Sequence, residues 1–375
     1  DRAVDAGGVT ALLTPPPAGT IALSGGYLPP SLQPVRALST AVARAARRPD
    51  AWDRPPLAGL PELRAWFARR VGGDVTASDV LITSGGQDAL TIVLRALLPP
   101  GAPLLVEAPT YPGALAAARL AGLHTVPVPF DHDGVRPDLL ADAFAMTGAR
   151  VFYCQPTFHN PTGAVLSPRR REQVTAVARA AGAFVIEDDF ARHLAIEPAP
   201  PPLAAHDTDG RVVYVGSLTK ATSPSLRVAA VIARGPAAAR IRATQLVAAF
   251  FPARVLQEAA LELVTSPAWP RHLKAVQALL RRRRAVLAAA LARELPEFTL
   301  PAGGAHLWVR LPDGVDDVAL AELALRAGVL VSAGRSFYPA EPAGPRLRLT
   351  YSAAPTEAEL AEGARRLGQV LVKTR

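Results

Sequence analysis

Three of the chain's 41 basic side chains are lysines, Lys220, Lys274 and Lys373; the other 38 are arginines. Lys274 sits in a polar helical stretch and Lys373 in the C-terminal tail. Lys220 differs. It stands in "GSLTKATSPSLR" (216–227), just past "RVVYV", a run that reads as a buried strand. Desolvation lowers an amine's pKa and makes it a nucleophile toward carbonyls, so Lys220 is the candidate for an imine with an aldehyde cofactor. Ser217 and Thr219 flank it and Arg227 comes seven residues later; two hydroxyls and a guanidinium suit a phosphate dianion.

Other apolar runs end in polar groups of the same kind. After "VLIT" comes "SGGQDAL", where bare N–H groups of Gly86 and Gln87 at a helix start suit an anion. After "LLVE", "APTYPGAL" puts Tyr111 on a proline-flanked turn, where its ring covers a flat heterocycle or packs its own turn. After "VFYC", "QPTFHNPTG" carries Asn160, whose amide donates to a phenolate oxygen or caps its own turn. After "FVIE" comes "DDF". A carboxylate ending a buried strand needs a cation, and a protonated pyridine nitrogen would supply one to Asp188; otherwise Asp188 or Asp189 caps the next helix. In "PRLRLTYS", Arg346 and Arg348 share one strand face, and one of them would clamp a substrate carboxylate. Together these groups describe pyridoxal phosphate bound beside an amino acid.

The elements that must position them show an α/β alternation from residue 80 onward. Seven apolar runs, at 80–83, 104–107, 125–128, 151–154, 184–187, 212–215 and 228–233, predict a mostly parallel sheet with helices between. Ligands in such sheets gather at the strands' carboxyl ends. Ser167 as N-cap and Pro168 at the first position start the helix of "LSPRRREQ". We expect an arm with one helix near 35–47 over residues 1–50, a large domain over 51–270, and a smaller α+β domain over 271–375. In the last, 305–311, 328–332 and 345–352 read as strands and 271–294 as a long helix.

Composition narrows the class. Half of the 375 residues are hydrophobic and 19% charged, as in an ordinary globular protein. No apolar stretch reaches the roughly 18 residues that span a bilayer. No signal peptide is visible, and the chain begins without methionine, as a fragment or processed form would. The single cysteine, Cys154, ends a strand as core filler and fits the cytoplasm. The net charge of +9 is spread along the chain, and "RRRR" (281–284) lies in a helix whose geometry sends four neighbours in different directions, which argues against a dedicated nucleic-acid surface.

The ordered set "SGGQDAL", "PTYPG", "HNPTG", "EDDF" and "SLTKATSPSLR" resembles the fold-type I pyridoxal-phosphate aminotransferases of class I/II, from "LSGGYLPP" (23–30) to "RLTYS" (348–352). Within that group, "GLPELR", "QPTFHNPTG" and "EDDF" look most like the aminotransferase-like domain of MocR-type regulators of the GntR superfamily. Those proteins place a winged helix-turn-helix first, and no such module is present in these residues. The resemblance implies amino transfer between an L-amino acid and a 2-oxo acid, or else an effector-sensing domain that reaches DNA only through the missing module. It implies pyridoxal 5′-phosphate, a homodimer with the sites at its interface, and specific roles. Lys220 would form the internal aldimine and shuttle the proton, and Asp188 would pair with the pyridine nitrogen. Asn160 would donate to the phenolate oxygen, and Tyr111 would stack on the ring. Gly86, Gln87, Ser217, Thr219 and Arg227 would hold the phosphate; Gly26 would border the substrate and Arg348, rather than Arg346, bind its carboxylate. Two positions depart. Phe190 replaces the usual tyrosine of "DDY", which removes a phenol that donates to the phenolate oxygen. Arg54 stands roughly where many members have a tyrosine reaching the neighbouring subunit's phosphate. Decarboxylase, lyase and racemase chemistry share the scaffold, because the outcome depends on which Cα bond stands perpendicular to the ring.

Overall fold

The computed structural model describes residues 7–295 and 297–373. The first six residues of the expected arm and the last two of the expected C-terminal domain lie outside the described residues. The chain opens with α1 (Gly7–Leu13), β1 (Ile21–Ala22), α2 (Val35–Ala46) and α3 (Pro61–Val71). The alternation then runs β2 (Val80–Thr83), α4 (Gly86–Leu97), β3 (Pro103–Ala108), α5 (Pro112–Leu120), β4 (His124–Asp131), β5 (Gly134–Val135), α6 (Pro137–Thr147) and β6 (Val151–Cys154). It continues through α7 (Pro168–Ala180), β7 (Phe184–Asp189), β8 (Val212–Ser217), β9 (Ala229–Ile232), α8 (Gly235–Ala249) and α9 (Arg254–Thr265). The rest is α10 (Ala268–Leu291), β10 (His306–Arg310), α11 (Asp317–Arg326), β11 (Val329–Leu330), β12 (Ser332–Ala333), β13 (Arg346–Thr350) and α12 (Glu357–Val372). Proline in the first turn of α3, α5, α6 and α7 presets φ where no backbone donor is lost. Ser167 caps α7 by accepting from the Arg170 N–H.

The large sheet has eight strands in the order β2-β9-β8-β7-β6-β3-β4-β5, one more than the sequence implies. The extra member, β5, is a two-residue return of β4, too short to show a period. Strands β8, β7, β6, β3 and β4 are parallel neighbours, whereas β9 runs antiparallel to both β8 and β2. The reversal matters for function. It brings the start of β9, and Arg227 before it, to the same sheet edge as the carboxyl ends of β2, β6, β7 and β8.

Strands β2, β6, β8 and β9 are buried on both faces, which is why they read as unbroken apolar runs. Leu104, Val106, Tyr153, Ile186, Val213 and Val231 pack with α4 and α5 on one face, while Leu105, Phe152, Val185 and Ala230 join the larger core on the other. A second sheet, β10-β13-β12, is antiparallel and lies with α10, α11 and α12 in the C-terminal part. The single strand expected at 328–332 is divided at Val331: β11 pairs in parallel with β1, and β12 pairs with β13. Helix α10 starts three residues before the expected 271 because Pro270 is tolerated in a first turn.

The "RRRR" run dissolves into internal contacts. Arg281 donates to the Ile196 carbonyl, Arg282 to Glu357, Arg283 to the carbonyls of Ser352, Ala354 and Pro355, and Arg284 to the Pro301 carbonyl. It braces α10 against its surroundings. No helix among the described residues is long and apolar enough to cross a membrane.

Candidate active site

One cavity at the carboxyl edge of the large sheet is lined by Gly26, Gly86, Gln87, Tyr111, Asn160, Asp188, Ser217, Thr219, Lys220, Arg227 and Arg348. Every site residue expected from the sequence is among them. Cys154 is not: it is a buried free thiol whose pKa burial pushes well up, a core residue. Arg54 is exposed and outside the cavity.

The three carboxylates of "EDD" separate by strand alternation. Glu187 accepts from the Leu203 and Ala204 N–H groups. Asp189 pairs with Arg192 and accepts from the Tyr214 hydroxyl. Only Asp188 borders the cavity. Its Oδ2 accepts from the Tyr153 hydroxyl at 2.7 Å and from Gln155 Nε2 at 2.8 Å, and no hydrogen bond among the described residues uses Oδ1. Burial raises the carboxyl to about 6, against the pull of those two donors. A cation at Oδ1 would favour the ionised form further, which is what a protonated pyridine nitrogen offers.

Lys220 sits in the turn after β8. Its amine faces the cavity over the Tyr27 ring, 3.8 Å from the centroid. Desolvation first, then the positive charges of Arg348 and Arg227, bring it down to about 7, and Asp188 opposes them. An amine that is half free base at neutral pH is a working nucleophile.

The anion end is built around the start of α4. Gly85 takes φ 97°, and a Cβ there would meet Arg227 Nη2 at 2.5 Å, so only glycine admits the guanidinium. Arg227 donates to the Ser84 carbonyl. The Ser217 hydroxyl oxygen lies 4.0 Å from where a Gly86 Cβ would stand, and the buried Thr219 hydroxyl has no partner among the described residues. Gln87's side chain is committed, accepting from the Tyr111 hydroxyl and donating to the Gly113 carbonyl. Its backbone N–H is what remains for a phosphate. Gly113 lets the Tyr111 ring lie back over α5, since a Cβ there would meet the ring at 2.3 Å.

Arg348 reaches the cavity from the small sheet. It donates to Asn160 Oδ1 at 3.1 Å, to the Gly25 carbonyl at 2.7 Å and to Ser332 Oγ at 3.3 Å, while its Nε has no partner among the described residues. Burial brings this guanidinium down to about 9. No carboxylate pairs with it or with Lys220 among the described residues. A buried guanidinium without an anion, with the Lys220 amine in the same cavity, makes a receiving site for a carboxylate. Asn160 Oδ1 is taken by Arg348, which leaves its amide nitrogen as donor. Arg346 is partly exposed, acts electrostatically on Tyr338 and does not line the cavity. These donors, unpartnered atoms and the carboxylate fit pyridoxal 5′-phosphate. Sequence reasoning missed Tyr27, Tyr153, Gln155 and His306. The last borders the cavity from β10, beside Val9, Leu12 and Leu13 of α1.

The family model described as aminotransferase class I and II matches residues 24–367. The chain is 33% identical to a 2-aminoadipate transaminase of Thermus thermophilus, over 94% of this chain and 90% of that one. It is 30% identical to the uncharacterised HTH-type transcriptional regulator YdfD of Bacillus subtilis, over 94% of this chain and 74% of YdfD. Its fold matches the crystal structure of LysN, an alpha-aminoadipate aminotransferase of Thermus thermophilus complexed with N-(5′-phosphopyridoxyl)-L-leucine. The TM-score is 0.91 at 31% identity, and the match covers 99% of this chain and 95% of the other.

Proposed function

The chain belongs to the class I and II aminotransferase family, and from that premise we propose that its cavity transfers an amino group between an L-amino acid and a 2-oxo acid in the cytoplasm. When bound, pyridoxal 5′-phosphate supplies an aldehyde that takes up an amine and a ring that draws electrons from the bond broken at Cα. Lys220 would hold that aldehyde carbon and carry the substrate proton on Nζ. A positioned proton transfer of this kind contributes roughly 10²–10⁴-fold. Asp188, oriented by Tyr153 and Gln155, would keep a proton on the ring nitrogen. The Asn160 amide nitrogen would donate to the ring oxygen, without the help of a phenol, since residue 190 is phenylalanine. Gly86, Gln87, Ser217, Thr219 and Arg227 would hold the phosphate, Tyr111 would wall the ring, and Gly26 and Arg348 would seat the substrate.

The carrying observation is the company of Lys220. Its desolvated amine shares one cavity with Asp188, Asn160 and Arg348, which come from separate strands and loops. Presenting the cofactor-loaded protein with L-amino acids should discharge the visible absorbance of the bound cofactor, and a 2-oxo acid should restore it. No change with any donor contradicts amino transfer. Likeness to YdfD supports a second reading, an amino-acid-sensing domain of a transcription regulator. Binding of amino acids that never discharges the absorbance would decide for that one.

A homodimer is the proposed assembly. Trp52, Leu57, Val247 and Phe250 are exposed, and Leu57, Leu246 and Phe250 line one shallow apolar depression that a second copy would cover. Light scattering should give twice the chain mass for the cofactor-loaded protein, and a monomer would contradict the assembly.

A further inference from the structure

His306 opens β10, and the ladder register decides which way it looks. It pairs with Thr350 while Trp308 pairs with Arg348, so His306 and Arg348 occupy one face of the small sheet, one diagonal step apart. Both border the cavity. His306 is 5% exposed, and its ring edge lies against Gly26. A Cβ placed on Gly26 would lie 3.3 Å from His306 Cε1, 3.5 Å from Nε2 and 3.5 Å from Lys220 Nζ. The imidazole edge and the amine therefore meet at one patch of wall, with Nε2 and Nζ no more than twice 3.5 Å apart.

The ring is short of partners. Nδ1 is buried and has no hydrogen-bond partner among the described residues. Burial, with Arg348 and Lys220 nearby, keeps the imidazole neutral by holding its pKa well below the ordinary value. A neutral ring has one N–H and one lone pair, and an orphaned buried N–H is the rarer loss. The tautomer that leaves the lone pair on Nδ1 puts the N–H on Nε2, at the edge beside Gly26 and Lys220. Lys220 and Arg348 are donors as well, so whatever enters between these groups must be rich in acceptors.

We infer that His306 is a substrate-contact residue, whose Nε2–H donates to an oxygen of the bound amino acid beside the Arg348 guanidinium. The inference rests on the reading that the cavity takes an amino acid. That oxygen belongs either to the α-carboxylate or to the substrate's side chain.

Titrating the cofactor-loaded protein with 2-methylalanine and 2-methylglutamate, monitored by the cofactor's absorbance, separates these sources without turnover, because neither ligand has an α-proton to lose. H306F keeps ring volume and removes the donor; it should weaken at least one ligand about tenfold or more, as loss of a hydrogen bond to a charged acceptor does. H306Q, which restores a donor, should recover most of that affinity. Weakening of both ligands assigns the α-carboxylate, and weakening of 2-methylglutamate alone assigns the side chain. If phenylalanine is not tolerated, H306M gives the same comparison. Wild-type affinity for both ligands in the apolar variant overturns the inference alone. A wild-type protein that takes up neither ligand overturns the amino-acid reading, and this inference with it.

Discussion

Replacing Lys220 with alanine should lower turnover by at least about 10⁴-fold, the upper end of what a positioned proton carrier contributes, because the same substitution also removes the covalent hold on the cofactor. Lys220 is the cavity's only lysine. Lys274 and Lys373 stand elsewhere in the chain and cannot substitute. Borohydride reduction of the loaded protein, then peptide mapping, should label the segment containing Lys220. A label on Lys274 or Lys373, or turnover retained in K220A, would sink the assignment. The pH dependence has a definite sign. Only the unprotonated amine attacks a carbonyl, so cofactor uptake by the cofactor-free chain should rise with pH up to about 7 and then level off. An ordinary lysine, at about 10.4, would still be rising beyond pH 9.

Arg348→Gln should reduce kcat/KM by roughly 30-fold to several thousand-fold, as expected when one partner of a buried charge pair is removed at a cost of about 2–5 kcal/mol. The loss should fall mainly on KM, with the visible absorbance of the bound cofactor retained, because Arg348 meets the substrate rather than the phosphate end. Lysine at this position should not rescue. Arg348 divides its donors between Asn160, Gly25 and Ser332 while presenting the rest to the cavity, and an ammonium lacks that planar fork. An unchanged KM in R348Q would remove Arg348 from the substrate site.

Legibility differed between residues for physical reasons. Lys220, Asn160 and the Gly85–Gly86 turn were readable because each comes just after an apolar run, and a parallel sheet gathers the residues at its strands' carboxyl ends along one edge. The choice of Asp188 over Asp189 came from the family resemblance; its physical reason, side-chain alternation against the face the cavity occupies, is tertiary. Tyr153 and Gln155 were invisible as Asp188's supports, because the contact depends on the register of β6 against β7. His306 was missed for a stronger reason: it belongs to another sheet, and its direction is set by pairing with β13. Helix geometry in the sequence argued against a nucleic-acid surface at the arginine run, but its actual partners, mostly backbone carbonyls distant in the chain, follow only from the tertiary fold.

The sequence by itself determined which polar groups stand at the end of each buried run, because apolar periodicity and turn chemistry are local properties. Tertiary structure decided which of those groups meet and in what charge state. The antiparallel β9 brings Arg227 to the edge where α4 begins, and the small sheet swings Arg348 and His306 over the same space. Burial and charge separation then set Lys220 near 7 and Asp188 near 6. Those quantities depend on distance and on the exclusion of water, neither of which a linear order of residues contains.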